Sequence, residues 1–276
     1  MQIILLSGGS GKRLWPLSNG TRSKQFLKLL TAPDGTKESM IQRGARQIED
    51  ARLDANITVA TSESQKDSIV SQLPGRTEIV TEPERRDTFP AIALSCAYLL
   101  LEKKLPEDEV VVVMPCDSFV DASYFESIKE LASRVEKDNV DLTLIGIRPT
   151  EPSTKFGYLV PRKDDNSRVE LFEEKPSFEK AMSLLGDGAV WNGGVFGFRL
   201  RYIKGIIEKY LIAESFHDFR SRYAELPKIS FDYEVAEKAA SVGVVYYDGL
   251  WKDLGTWDSL AKELRHDTLG YSVNHQ

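Results

Sequence analysis

The sequence predicts an α/β domain: a mainly parallel, Rossmann-like sheet flanked by helices, with ligand-binding insertions in the second half. Three observations carry this. Up to about residue 150, short apolar runs alternate with segments of helical period, the rhythm of βαβ units. The run Val110-Val111-Val112-Val113-Met114 lacks polar alternation, as a central strand buried on both faces does. The first apolar run breaks off into Gly8, Gly9 and Gly11, a strand that ends in a loop able to approach a ligand closely.

In chain order, strands are expected at residues 3–6, 57–60, 78–80, 110–114 and 142–147. Helical periodicity falls between them, at 39–50, 63–73, 90–103 and 123–136. Beyond residue 150 the pieces shorten. Strands are expected at 157–161, 168–173, 194–200 and 242–248, with helices at 178–185, 202–210, 233–240 and 257–264. No repeat, low-complexity tract or Pro/Gly/Ser-rich linker interrupts the chain. The expectation is one domain over 1–276, with functional halves of about 1–150 and 151–265.

Composition excludes several classes. With 41 % hydrophobic and 28 % charged residues in 276, the chain is neither disordered nor collagenous. Its apolar runs fall short of the roughly 18 residues a membrane span needs, and no signal peptide is expected. Two cysteines, Cys96 and Cys116, form no framework and suit a reducing cytoplasm. A net charge of −6 lacks the basic footprint of a nucleic-acid binder, so a polyanionic ligand must be met by local cations. The three histidines, His217, His266 and His275, have no metal-ligand spacing, and histidine-centred catalysis is not expected.

The most informative stretch is Leu6-Ser7-Gly8-Gly9-Ser10-Gly11-Lys12-Arg13-Leu14. Backbone N–H groups of a glycine loop can point at phosphate oxygens, and Lys12 and Arg13 supply the neutralising charge. A P-loop would need Gly at Leu6 and Ser or Thr at Arg13, and the dinucleotide fingerprint a small residue at Leu14. This phosphate loop is of another kind.

Gly8–Ser18 with Ser23-Lys24-Gln25-Phe26-Leu27 resembles the signature of sugar-1-phosphate nucleotidylyltransferases, most of all the mannose-1-phosphate guanylyltransferases. Further segments match in order: Glu82-Pro83 with Arg86-Asp87-Thr88; Met114-Pro115-Cys116-Asp117; Phe156-Gly157-Tyr158; and Phe172-Glu173-Glu174-Lys175-Pro176. So do Trp191-Asn192-Gly193-Gly194, Phe231-Asp232-Tyr233 and Trp251-Lys252-Asp253-Leu254-Gly255-Thr256-Trp257. Four positions depart from the family's usual residues: Ser23 for Pro, Asp87 for Asn, Ser118 for His and Gly193 for Ser.

The resemblance implies the nucleotide-diphospho-sugar transferase fold and transfer of a nucleoside monophosphate, GMP from GTP, to a sugar 1-phosphate. Leu6, Gly8, Gly9, Ser10, Gly11, Lys12, Arg13, Glu82, Arg86, Asp87 and Asp117 then hold the nucleotide. Arg13 meets the departing pyrophosphate and Lys24 the α-phosphate. Asp117 and Asp253 match the aspartates that hold Mg²⁺, and Asp117 follows a buried parallel strand, where open α/β sheets bind ligands. Gly157, Glu174, Lys175, Asn192 and Asp232 match the sugar-phosphate side. A carboxylate from Glu82 or Asp87 accepts the two adjacent guanine donors. A monomer or weak dimer in the cytoplasm is expected, without a C-terminal β-helix or isomerase domain.

Other readings are a pyrophosphorylase for a different nucleotide-sugar such as GDP-heptose, a nucleotide-sugar-dependent glycosyltransferase, or a catalytically dead sensing relative. The absence of an Asp-x-Asp pair speaks against the second. Retention of Arg13, Lys24, Asp117, Lys175 and Asp253 together speaks against the third.

Overall fold

In the computed structural model, residues 1–8, 23–138 and 140–253 are described. The first apolar run forms β1 (Gln2–Leu6). A small hairpin, β2 (Leu30–Thr31) and β3 (Lys37–Glu38), precedes α1 (Met40–Asp50). Ser39 and Gln42 close a capping box that fixes where α1 starts. There follow β4 (Asn56–Ser62), α2 (Lys66–Gln72), β5 (Glu78–Glu82), α3 (Thr88–Ala97) and β6 (Val110–Pro115). The first half closes with β7 (Ser118–Val120), α4 (Tyr124–Lys137) and β8 (Leu142–Ile147).

The second half contributes β9 (Tyr158–Pro161), β10 (Val169–Glu173), α5 (Phe178–Gly186), β11 (Val190–Arg199) and α6 (Leu200–Ile207). Then come α7 (Phe216–Ser221), α8 (Phe231–Glu234), β12 (Val242–Tyr247) and β13 (Trp251–Asp253). Nine strands form the main sheet, running β10-β9-β11-β6-β1-β4-β5, with β8 on β11 and β12 on β8. The registers point β1, β4, β5, β6, β8, β9 and β12 one way and β10 and β11 the other. The sheet is therefore mainly parallel.

Side-chain alternation along β1 and β6 feeds two cores. Ile3, Leu5, Val112 and Met114 face one cluster, which includes Ile41 and Ile48 of α1 and Ile128 and Leu131 of α4. Ile4, Val111 and Val113 face the other, with Phe89 and Ile92 of α3 and Ile203 of α6. Both faces of these strands are buried, as the unbroken valine run requires.

Strand 142–147 is found where expected, and the other first-half strands lie within two residues of their expected ends. The helix expected at 233–240 is instead α8, beginning earlier because the Ser230 side chain accepts from the Tyr233 N–H, followed by a 3₁₀ turn at Ala236–Lys238. The strand expected at 194–200 begins at Val190. Helix α7 and the β7–β13 pair were not anticipated, and the helix expected at 257–264 lies outside the described residues.

Two glycines test how tightly the sheet is packed. A Cβ on Gly197 of β11 would collide with Leu131 Cδ2 and reach Val135 Cγ2 at 3.0 Å, whereas one on Gly205 of α6 meets nothing within 4 Å. Gly197→Ala should therefore destabilise by about 1–3 kcal/mol through overpacking. Gly205→Ala should stabilise by up to about 1 kcal/mol through helix propensity. Urea unfolding of both variants checks the opposite signs.

Candidate active site

The carboxyl ends of β1, β4, β5, β6 and β8 share one edge of the sheet, and the site is built there. Beyond β1, the Ser7 N–H donates to Ala60 O at 2.8 Å and the Cys116 N–H donates to Leu6 O at 3.2 Å, so the strand ends are stitched together. A 3₁₀ turn, Lys24–Phe26, docks beneath them. Buried Gln25 donates from Nε2 to Ser7 O and Oγ, both at 3.2 Å, and Gln65 Nε2 reaches Ser23 Oγ at 2.6 Å. Ser23 thus makes a buried polar contact that a proline there could not make. The docked turn aims Lys24 Nζ at Asp117 Oδ2, 2.7 Å away. Burial pushes the neighbouring Cys116 thiol up to about 12, so it is no nucleophile.

At the end of β5, Glu82 is only 5 % exposed, and Tyr223 Oη donates to its Oε2 at 2.7 Å. Burial raises its carboxyl above the ordinary range, and the Tyr223 hydrogen bond opposes that rise. Its Oε1 faces Gly8, where an added Cβ would lie 3.6 Å away. Asp87 is differently engaged. It is exposed and caps α3, accepting the Thr88 N–H at 2.8 Å. Its φ of 74° and ψ of −175° lie in a region otherwise left to glycine, a strain of about 1–3 kcal/mol. Arg86 Nε and Nη2 donate to Leu226 O at 3.2 and 3.0 Å, and its Nη1 pairs with Glu84, so it braces the loop.

The sugar-phosphate candidates meet around an interruption in β11. Pairing with β8 slips between Asn192 and Phe196, so Asn192-Gly193-Gly194 is a bulge within a strand rather than a turn. A Cβ at Gly193 would press Ile145 O at 3.1 Å, and Gly194 has φ +70°. The Gly194 N–H donates to Asn192 Oδ1 at 3.0 Å, leaving Asn192 Nδ2 to donate to Asp232 Oδ1 at 2.8 Å. The Asn192 N–H donates to Gly157 O at 2.8 Å. A side chain on Gly157 would meet Glu174 Oε2 at 2.5 Å and Phe172 Cζ at 3.1 Å, so a larger residue there would have to displace the Glu174 carboxylate.

Glu174, 9 % exposed, accepts from Lys175 Nζ at 2.6 Å. Burial works against the lysine charge, yet Glu174 and, beyond it, Asp232 hold the ammonium above the usual range. Asp232 is pushed up to about 6, first by burial and then by the charge of Glu174. The pocket therefore pairs exposed Lys175 with two carboxylates and an amide whose orientation is fixed.

The structure thus brings together Gly157, Glu174, Lys175, Asn192 and Asp232 in one place, and Leu6, Gly8, Glu82, Lys24 and Asp117 along the adjoining edge. Arg86 and Asp87 lie on the same loop but spend hydrogen bonds on the fold. Gly9, Ser10, Gly11, Lys12 and Arg13 lie outside the described residues, as does the side chain of Asp253, whose backbone pairs with Ser118 next to Asp117. Sequence reasoning missed Tyr223 and Glu237; the latter accepts the Glu174 N–H at 2.9 Å. No spacing signal could have found either, since the partners are far apart in the chain.

Known proteins resemble this chain over nearly its whole length. The Nucleotidyl transferase family model matches residues 2–269. A mannose-1-phosphate guanylyltransferase of Sinorhizobium fredii is 33 % identical, covering 94 % of this chain and 54 % of that protein. Alginate biosynthesis protein AlgA of Pseudomonas aeruginosa is 31 % identical, covering 93 % of this chain and 57 % of that protein. The chain spans little more than half the length of these curated relatives. A Thermus thermophilus crystal structure described as a mannose-1-phosphate geranyltransferase superposes with a TM-score of 0.77 at 30 % identity, covering 95 % of this chain and 78 % of that one. With the family pattern running from β1 past β13, the chain belongs to the nucleotidyl transferase family.

Proposed function

We propose that the chain transfers GMP from GTP to α-D-mannose 1-phosphate, giving GDP-mannose and pyrophosphate. The observation that carries this is the pocket at the β11 bulge, where Glu174, Lys175, Asn192 and Asp232 offer one cation and several hydroxyl partners beside the Lys24–Asp117 pair. An oxygen of the sugar phosphate attacks the α-phosphorus, a new P–O bond forms, and the α–β bridging oxygen leaves with its electron pair on pyrophosphate. The attacking oxygen is already ionised, so positioning and charge neutralisation suffice.

In this reading Lys175 meets the sugar phosphate while Glu174 and Asn192 orient the sugar hydroxyls. Lys24 meets the α-phosphate, and the loop at 8–13 holds the rest of the triphosphate, with Arg13 on the departing pyrophosphate. Guanine lies against Gly8, with Glu82 as its acceptor in place of Asp87. Asp117 and Asp253 are the residues that would hold Mg²⁺. Magnesium prefers a few carboxylates together with phosphate oxygens and water to a protein cage, which two aspartates would suit. When bound, it neutralises phosphate charge as a Lewis acid. Among the described residues no helix is long and apolar enough to cross a membrane, and we place the protein in the cytoplasm as a monomer or weak dimer.

Pyrophosphate release across nucleotide and sugar 1-phosphate pairs tests the reading. GTP with mannose 1-phosphate should be the fastest pair, and release with no pair, or preference for dTTP or UTP, refutes it. EDTA should silence the enzyme and Mg²⁺ restore it, while Asp117→Ala should cost orders of magnitude in kcat without unfolding the chain. Lys175→Ala should raise KM for the sugar phosphate roughly 10- to 150-fold, the worth of a charge-assisted contact of about 1.5–3 kcal/mol.

Asp232 sets a pH dependence. Its raised pKa, about 6, means that it takes up a proton as pH falls through that value and stops being a pure acceptor. KM for the sugar phosphate should rise below about pH 6. Asp232→Asn should lack that component, while keeping the one due to the substrate phosphate, whose second ionisation is also near 6. Superimposable KM–pH profiles for the two proteins would show that Asp232 plays no part.

A further inference from the structure

We propose that Tyr223 is a positioning residue for base selection, fixing the Glu82 carboxylate so that the oxygen beside Gly8 faces the guanine edge. The proposal rests on reading Glu82 as the guanine acceptor. Tyr223 is 1 % exposed, and its hydroxyl donates to Glu82 Oε2. An ionised carboxylate has only acceptor sites, so a phenol donor both stabilises the charge and settles which oxygen points which way. The other oxygen, Oε1, is the one beside Gly8.

The contact is braced on both sides. Arg220 donates from Nε and Nη2 to Thr81 O and Oγ1, both at 3.3 Å, one residue before Glu82. Arg86 reaches across in the opposite direction to Leu226 O. Residues 220–226, from the second half of the chain, are thereby held in register with the loop after β5. The segment leads on to Phe231, whose N–H donates to Thr88 Oγ1 at 2.8 Å, and so to Asp232 of the sugar pocket. Guanine presents N1–H and N2–H₂ as adjacent donors, and a carboxylate held in one plane can meet both. A carboxylate free to rotate in a buried setting, or protonated there, would meet one donor poorly and repel the other.

The test compares GTP with ITP, which lacks the 2-amino group, in the wild type, Tyr223→Phe and Glu82→Gln, with thermal unfolding as a check on folding. Tyr223→Phe should raise KM for GTP about tenfold and narrow the GTP-over-ITP preference in kcat/KM by a similar factor. Its KM for mannose 1-phosphate and its saturated kcat should stay within about twofold, a split that a merely structural role would not produce. Full preference and normal KM for GTP in a folded Tyr223→Phe protein overturn the proposal. If Glu82→Gln loses the preference while Tyr223→Phe keeps it, only the role of Tyr223 falls. If Glu82→Gln itself keeps the preference, the assignment of Glu82 falls and the proposal with it. Should Tyr223→Phe fail to fold, 3-fluorotyrosine at 223, which keeps the shape but changes the donor, must move KM for GTP. An unchanged KM there also overturns it.

Discussion

The slip of β11 against β8 governs what the second half of this chain can hold. An unbroken antiparallel ladder would send Asn192 into regular alternation and leave no room to turn its amide. Because β11 advances from Asn192 to Phe196 while β8 moves only from Gly146 to Leu144, the Gly194 N–H occupies Asn192 Oδ1 and the amide nitrogen is committed to Asp232. Gly157 then passes close enough to touch Glu174, and the β9–β10 hairpin rises past the carboxyl edge with its base at the bulge. A single irregularity gathers polar groups from separate segments of the chain.

Charge is handled locally throughout. A protein of net charge −6 cannot draw in a triphosphate by its overall field, so cations must be held where phosphates will sit. Lys24 and Lys175 each rest against a carboxylate, at 2.7 and 2.6 Å. Such pairing keeps the cations oriented without a ligand, and it costs little to exchange because both sites retain solvent access. The carboxylates drawn away from water are the costly members. Buried Glu82 and half-buried Asp232 both sit above the ordinary carboxyl range chiefly through desolvation, and side-chain donors, Tyr223 and Asn192 respectively, oppose that rise.

How much of this was legible in the sequence depended on distance along the chain. The valine run of β6 and the apolar start of β1 announced themselves because buried parallel strands need no polar alternation. The helix expected at 39–50 lies within a residue of α1, whereas α8 starts earlier than the expected 233–240 because Ser230 caps it. The site residues were legible as motifs, and the geometry then sorted them: Asp87 turned out to cap α3, while Glu82 turned inward. The bulge itself was hidden, since Asn-Gly-Gly reads as a turn until the flanking strand pairs are known. Tyr223 was beyond reach, its partner lying 141 residues away.

In the proposed function, nucleotide and sugar lie side by side along the carboxyl edge, guanine at Glu82 and Gly8, mannose at the bulge. A crystal structure with GDP-mannose and Mg²⁺ tests it most directly. It should show the guanine N1–H and N2–H₂ within hydrogen-bond reach of Glu82, and the mannose hydroxyls on Glu174 and Asn192. A sugar bound away from the bulge, or a base with no contact to Glu82, would contradict it.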